Sequence, residues 1–428
     1  MKQKRKWMSF VLAAAMAAGA CSGCVSKADP APTTAATQAP APAAGQESGG
    51  ETPAAETEAP AASSWAEEAG LNKTETVEEL YELAKAEGEL NLYGCTGRLE
   101  NVSADFMAEY PGIKVNFYDL GINEMLEKFS REYEAGIHTA DILQLKEQTG
   151  SISREYIQQG LLHNYHPEDI FDGVNPDYLI VTPFVVELDW WNYNTEVYSE
   201  LPISSWWDIT KPEWNGKFVF LDPSGEPDLP VLQVGTSTAT TVACQRSDLL
   251  EADYEKVFGK PIELADNEPD AAHAWINRVA KNGAIMETSN TNIVKAVGGA
   301  KGMTDPPIGY GVSSKLRERD LQGFVLGVEP DKFDMPTTAV SFMVAQIADQ
   351  CEHPNAAKLY IRYLCGEADH QGKGLEPFLT VGSYPVFPNA PAIEGNPDYD
   401  SIPKFDLDLD YYYDNYQDVY DYWLSVQP

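Results

Sequence analysis

The run Leu90-Asn91-Leu92-Tyr93 decides the fold class, together with the turn Gly94-Cys95-Thr96-Gly97-Arg98 and, beyond a helical stretch carrying Phe106 and Met107, the run Tyr110-Pro111-Gly112-Ile113-Lys114-Val115-Asn116-Phe117. Strand, turn, helix, Pro-Gly break and strand make a βαβ unit, which requires parallel strands and helical cover. Toward the amino end, Thr76 and Glu79 form a capping box for a helix with Val77, Leu80 and Leu83 on one face, and Gly88 ends it. Toward the carboxyl end, a helix over 124–134 leads to Asp141-Ile142-Leu143-Gln144-Leu145, an apolar run of buried-strand type. The predicted architecture is therefore α/β, with a mainly parallel sheet in the first lobe. Such sheets bind ligands beyond the carboxyl ends of their strands, which directs attention to Thr96, Arg98 and Lys146.

Upstream of this unit the chain has a different character. Lys2, Lys4, Arg5 and Lys6 precede an uncharged apolar run from Trp7 to Ala20, the pattern of a secretory signal over residues 1–20. Ala18-Gly19-Ala20-Cys21 resembles a bacterial lipobox, so Cys21 is the expected lipidation site, with Cys24 as the alternative and plain secretion as the bland reading. Residues 21–64 are rich in Ala, Pro, Thr and Glu and read as a disordered linker between a membrane anchor and the body.

The body, 65–428, exceeds the size at which one core usually stops growing, so two lobes are expected: 65–188 with 335–385, and 189–334 with 386–428. A formal charge of −36 over 428 residues repels nucleic acid and anionic headgroups, which removes both from the expected partners. Cys95, Cys244, Cys351 and Cys365 show no CxxC pairing. A helix over 354–364 would hold Cys351 and Cys365 about 15 Å apart, beyond disulfide reach, so they are expected to be free.

Several motifs give the chain a resemblance. Tyr110-Pro111-Gly112-Ile113-Lys114-Val115, Ala140-Asp141-Ile142-Leu143, Tyr193-Asn194-Thr195, Ser205-Trp206-Trp207-Asp208 with Pro212-Glu213-Trp214-Asn215-Gly216-Lys217, and His353-Pro354-Asn355-Ala356-Ala357-Lys358 occur in order over residues 85–428. In this the chain resembles type 2 periplasmic binding proteins of the ferric-iron, phosphonate and sugar-phosphate group, the substrate-binding lipoproteins of ABC importers. The resemblance implies two α/β lobes joined by crossing strands, an interlobe cleft, a small-molecule ligand, a membrane permease as partner, a monomer, and neither cofactor nor catalysis. Strands near 185–189 and 337–342 are the expected hinges. Iron-binding members use a histidine, a glutamate and a tyrosine pair at positions that here hold Thr96 or Gly97, Lys146, and Tyr310-Gly311. An ammonium group opposes a hard cation, so bare ferric iron becomes the runner-up ligand.

The chemistry of the same positions points to an anion. Arg98 offers a planar fork and Lys146 a compact charge, each weighed against an ordinary surface cation. Thr236, Ser237 and Thr238 open one apparent helix and Asn290, after Ser289, opens another; helix starts cradle anions or simply carry caps. The resemblance assigns anion contacts to these same residues. Tyr310 is the aromatic candidate for ligand stacking, whereas Trp190, Trp191, Trp206 and Trp207 read mostly as core. A rival reading is a thiaminase-like enzyme using Cys95, which needs a neighbouring base. The Asp- and Tyr-rich end, 405–423, lacks the Gly and Glu of a calcium loop and places Tyr412, Tyr416, Val419, Tyr420 and Trp423 at helical spacing.

Overall fold

The computed structural model describes residues 64–222, 243–336, 338–405 and 408–428, all within the compact unit Glu58–Pro428. Its first strand, β1 (Glu89–Gly94), lies between helices α1 (Val77–Glu87) and α2 (Arg98–Glu109). Thr76 Oγ1 accepts from the Glu79 amide at 3.2 Å and Glu79 Oε2 accepts from the Thr76 amide at 3.1 Å, so the capping box is formed at both ends. Gly88 closes α1 at φ 77°, a conformation that favours glycine. Strands β2 (Lys114–Asp119) and β3 (Ile142–Glu147) flank β1 and run parallel to it, with Leu92 opposite both Phe117 and Ile142. Helix α3 (Ile122–Glu134) connects them.

The strand that organises the rest is β4 (Pro183–Asn194), twelve residues long and buried throughout. Its first half pairs antiparallel with β8 (Val340–Ala348), which in turn lies against β3. Its second half, from Asp189 to Asn192, pairs with β7 (Ile308–Val312). Beyond β7 come β5 (Phe218–Leu221) and β6 (Ile285–Glu287), both in parallel register. One strand is thus a member of both sheets, as a crossing element must be. The second lobe carries helices α4 (Ser247–Phe258), α5 (Ala271–Lys281) and α6 (Asn290–Gly298). Helix α7 (Pro354–Leu364) covers the first sheet, and α8 (Leu409–Ser425) closes the chain.

Two apolar clusters hold the body. The larger contains Leu92, Phe106, Ile142, Leu145, Phe342 and Tyr360, and the smaller contains Trp191, Trp206, Trp207, Phe220, Trp275 and Tyr310. Trp190, Trp191, Trp206, Trp207 and Trp275 are essentially inaccessible, and the last four belong to the second core, which draws much of its area from large rings. Neighbouring residues of the long strands face different clusters: Trp190 belongs to the first and Trp191 to the second, and Ala339 to the second and Val340 to the first, while Val294 and Val297 of α6 also pack into the first. Phe387 packs into the first cluster, where its ring stacks on His370 at 4.1 Å and meets Phe171 at 5.6 Å. Met335 is buried in the tryptophan cluster.

Cys95, Cys244, Cys351 and Cys365 are free thiols, and the last three are buried. Among the described residues no helix is long and apolar enough to cross a membrane. Cys21 and Cys24 lie outside the described residues.

Candidate functional site

A cavity of about 700 Å³ opens where the carboxyl ends of strands from both lobes converge. The first lobe contributes Cys95, Thr96 and Arg98 from the turn after β1, the start of α3, Lys146 from β3 and Glu187 from β4. Leu221 and Asp222 after β5, Thr288 to Thr291 at the start of α6, and Ser314, Lys315 and Arg317 after β7 come from the second. Because parallel strands all end on the same side, residues distant in sequence meet here. Four of the expected site residues, Thr96, Arg98, Lys146 and Asn290, line this one cavity.

Arg98 is the first residue of α2, and its guanidinium lies over the Phe378 ring at 5.3 Å. Its Nη1 is buried with no hydrogen-bond partner. Burial and then the neighbouring Arg317 charge lower its pKa, with Glu187 opposing them. Lys146 is differently placed, since its ammonium is bonded to the buried Glu187 carboxylate. Burial alone would raise the Glu187 pKa, but Lys146, a bond from Ser314 and the Arg98 charge outweigh it and hold the carboxyl at about 2. The pair is therefore ionised, and the charge offered to a ligand by Lys146 is partly spent on Glu187.

Two further cations were not picked out from the sequence. Lys315 and Arg317 lie on the 3₁₀ turn Ser313–Arg317, directly beyond the carboxyl end of β7. The strand-end rule that pointed to Arg98 and Lys146 applies to them equally. Arg317 is held by its Nη1 donating to Ser314 O at 2.8 Å. Burial first, then the Arg317 charge, pushes Lys315 down to about 8, and no carboxylate among the described residues forms an ion pair with it. Glu124 and Asp222 also line the cavity, so its wall carries both signs.

At the start of α6, Ser289 caps the helix by accepting from the Asn292 amide at 3.2 Å. Asn290 Oδ1 accepts from the Val312 amide at 2.9 Å and so ties the helix to β7. The cap reading and the cavity position both apply to this segment, whose first amides have no intrahelical acceptors. Thr236, Ser237 and Thr238 lie outside the described residues.

The reading of Tyr310 as a ligand platform is corrected. Its neighbours Gly309 and Gly311 turn toward α6, where an added Cβ would meet Ile293 Cγ2 at 2.6 Å and Asn290 Oδ1 at 2.7 Å. Strand alternation then sends Tyr310 to the opposite face. There it is 1% exposed and packs against Trp191 and Trp206, with ring centroids at 5.3 and 5.8 Å. Trp190 and Trp191 are likewise buried outside the cavity.

Cys95 lines the cavity, but burial raises its thiol to about 11 despite the nearby Lys146 charge. Its Sγ donates to Gln144 Oε1 at 3.6 Å, an amide and not a base. The geometry supplies no activated thiolate.

Comparison with known proteins agrees with this architecture. The profile of the family described as bacterial extracellular solute-binding protein matches residues 101–406. Among solved structures, iron-bound HitA from Pseudomonas aeruginosa superposes with a TM-score of 0.57 at 17% identity, covering 79% of this chain and 99% of its own. AfuA from Actinobacillus pleuropneumoniae, with exogenous fructose-6-phosphate bound, gives 0.56 at 17% identity, covering 79% and 98%. IdiA (FutA) from Trichodesmium, in complex with iron and citrate, gives 0.52 at 16% identity, covering 79% and 99%. At these identities the likeness concerns the fold. No curated protein matches the chain by sequence. With most of its body matched by the family profile and its two lobes built on the plan of type 2 periplasmic binding proteins, the chain belongs to the bacterial extracellular solute-binding proteins.

Proposed function

We propose that this protein captures a small anionic solute between its lobes and presents it to an ABC permease. One observation carries the reading: Arg98, Lys146, Lys315 and Arg317 converge from both lobes on one cavity, in a chain of formal charge −36. A ligand oxyanion would give Arg98 Nη1 the acceptor it lacks and would relieve the repulsion between Arg98 and Arg317. Phosphorylated, phosphonate and carboxylate solutes share that chemistry, and the fructose-6-phosphate bound to AfuA is one instance. A second reading, ferric iron carried with an anionic chelator, is supported by the iron and citrate bound to the Trichodesmium protein. Bare ferric ion is disfavoured by four cations in the wall.

Capture proceeds by hinge closure. The two lobes turn about β4 and the crossing at Thr338–Phe342, and contacts available only when both walls meet the solute shift the population toward the closed form. No catalytic step is assigned to this site. A secretory signal over 1–20 and a lipid on Cys21 or Cys24 would tether the monomer outside the cytoplasmic membrane; incorporation of a labelled fatty acid, lost in the Cys21→Ser variant, identifies the anchor.

The test of the ligand class is a thermal-shift screen of sugar phosphates, phosphonates, organic acids and ferric citrate, with hits measured by calorimetry. A solute at about 100 times its Kd adds close to 2.7 kcal/mol of apparent stability. Binding confined to cationic or neutral solutes would overturn the anion assignment.

A further inference from the structure

The contacts between α8 and the turn after β3 lie outside the cavity and outside the crossing strands, and they join the two lobes. Helix α8 is seated on the second core through Tyr412, Val419 and Trp423, whereas the π-helical turn Ile152–Ile157 is seated on the first through Ile152 and Tyr156. Arg154 forms an ion pair with Asp410 and lies 3.5 Å from Asp414. Its guanidinium also covers the Tyr413 ring at 4.9 Å. The Tyr413 hydroxyl donates to Glu155 Oε1 at 3.0 Å. Backbones meet as well: an added Cβ on Gly150 would stand 2.5 Å from Leu409 O, and its φ of +81° suits glycine.

The turn that presents Arg154 and Glu155 is rigidly held. The buried Glu147 carboxylate accepts from the amides of Thr149, Gly150 and Ser153 at 2.9, 2.8 and 3.0 Å. Glu147 directly follows Lys146, which lines the cavity. The turn therefore moves with the cavity wall.

We propose that Arg154, Glu155 and Tyr413 are positioning residues for solute capture, forming with Asp410 and Asp414 an interlobe clasp that sets the resting angle between the lobes. Rotation about the crossing strands displaces α8 relative to the turn, so these contacts must stretch or exchange whenever the lobes move. Each exposed ion pair is weak, but an open–closed equilibrium is balanced within a few kcal/mol and responds to small changes. Loosening the clasp should shift the ratio of the two forms by about 1.4- to 5-fold, the range of one exposed pair.

The proposal rests on hinge closure as described above. It is read in the ligand-free protein, so its failure is distinct from failure of the anion assignment. Spin labels introduced through non-canonical residues at Glu82 on the first lobe and Glu255 on the second, both exposed, report the interlobe distance by electron–electron resonance. In Arg154→Glu the distribution should shift or broaden. Raising salt from roughly 0.05 to 0.5 M should move the wild type the same way, as screening weakens the pairs. The charge exchange Arg154→Asp with Asp410→Arg should restore the original distribution, which a merely destabilised lobe would not do. Tyr413→Phe, which removes only the bond to Glu155, provides a milder variant if the charge reversal fails to fold. Distributions in Arg154→Glu or Tyr413→Phe that match the wild type at low salt overturn the clasp.

Discussion

Replacing Arg98 by methionine separates a ligand-binding role from a structural one, because the two make opposite demands on the ligand-free protein. Methionine keeps an unbranched apolar stem to lie against Phe378, which the guanidinium covers at 5.3 Å, and removes only the charge and its donors. In the ligand-free protein that charge is half-buried, its Nη1 has no acceptor, and Arg317 repels it. Removing it discards a desolvation cost and loses a cation–π contact of about 0.5–1 kcal/mol. Melting without solute should therefore be unchanged or slightly raised. A bound oxyanion loses a hydrogen bond to a charged donor, about 1.5–3 kcal/mol, which is roughly a 10- to 150-fold rise in Kd. Isothermal titration with the best anionic hit of the screen measures this, and scanning calorimetry of both proteins without solute provides the control. A Kd within twofold of wild type refutes the anion site as described. A large fall in ligand-free melting would instead make Arg98 a packing residue.

Three other predictions follow the cavity electrostatics. Asp189 is buried and pushed up to about 6, first by burial with Lys146 and Gln148 opposing; its folded pKa exceeds the unfolded value, so its contribution is full below about pH 4 and is lost as pH rises through 6. Asp189→Asn should flatten the stability profile between pH 4 and 6 and add up to about 3 kcal/mol at pH 7, as read by urea unfolding. Glu187 has the opposite sign: held at about 2, it stabilises above its unfolded pKa and loses that contribution as pH falls toward 2, and Glu187→Gln should cost about 3 kcal/mol by leaving Lys146 without its carboxylate. Lys315, lowered to about 8, loses its charge as pH rises through that value, so anion affinity should decline between pH 7 and 9 in the wild type and be weaker but flatter in Lys315→Met.

Much of the architecture was legible because it is written locally. The capping box at Thr76 and Glu79, the glycine stop at 88 and the apolar run Ile142 to Leu145 each specify an element from a few adjacent residues, and the elements formed as read. The cavity positions of Arg98, in the turn after β1, and of Lys146, one residue before the end of β3, were legible from the carboxyl ends of those strands. Lys315 and Arg317 obey that rule, but β7 itself, Ile-Gly-Tyr-Gly-Val, is short and glycine-rich and gives a weak strand signal. Tyr310 was misread because chemistry was considered without facing: two glycines packed against α6 fix which side of β7 the ring takes. Contacts such as the stacking of Phe387 on His370 and Phe171 were not legible, because they depend on packing between segments distant in sequence.

The order of the strands has a consequence for how the chain comes into being. The neighbour of β3, which ends at Glu147, is β8, which begins at Val340, and the whole of the second sheet beyond β4 is synthesised between them. A nascent chain that has reached the end of β3 cannot complete its own sheet. It must hold an unpaired strand edge until the later half has emerged, and long-range pairing of this kind closes slowly. Only the emergence of residues 340–348 lets β3 be paired on both of its edges and joins it to β4.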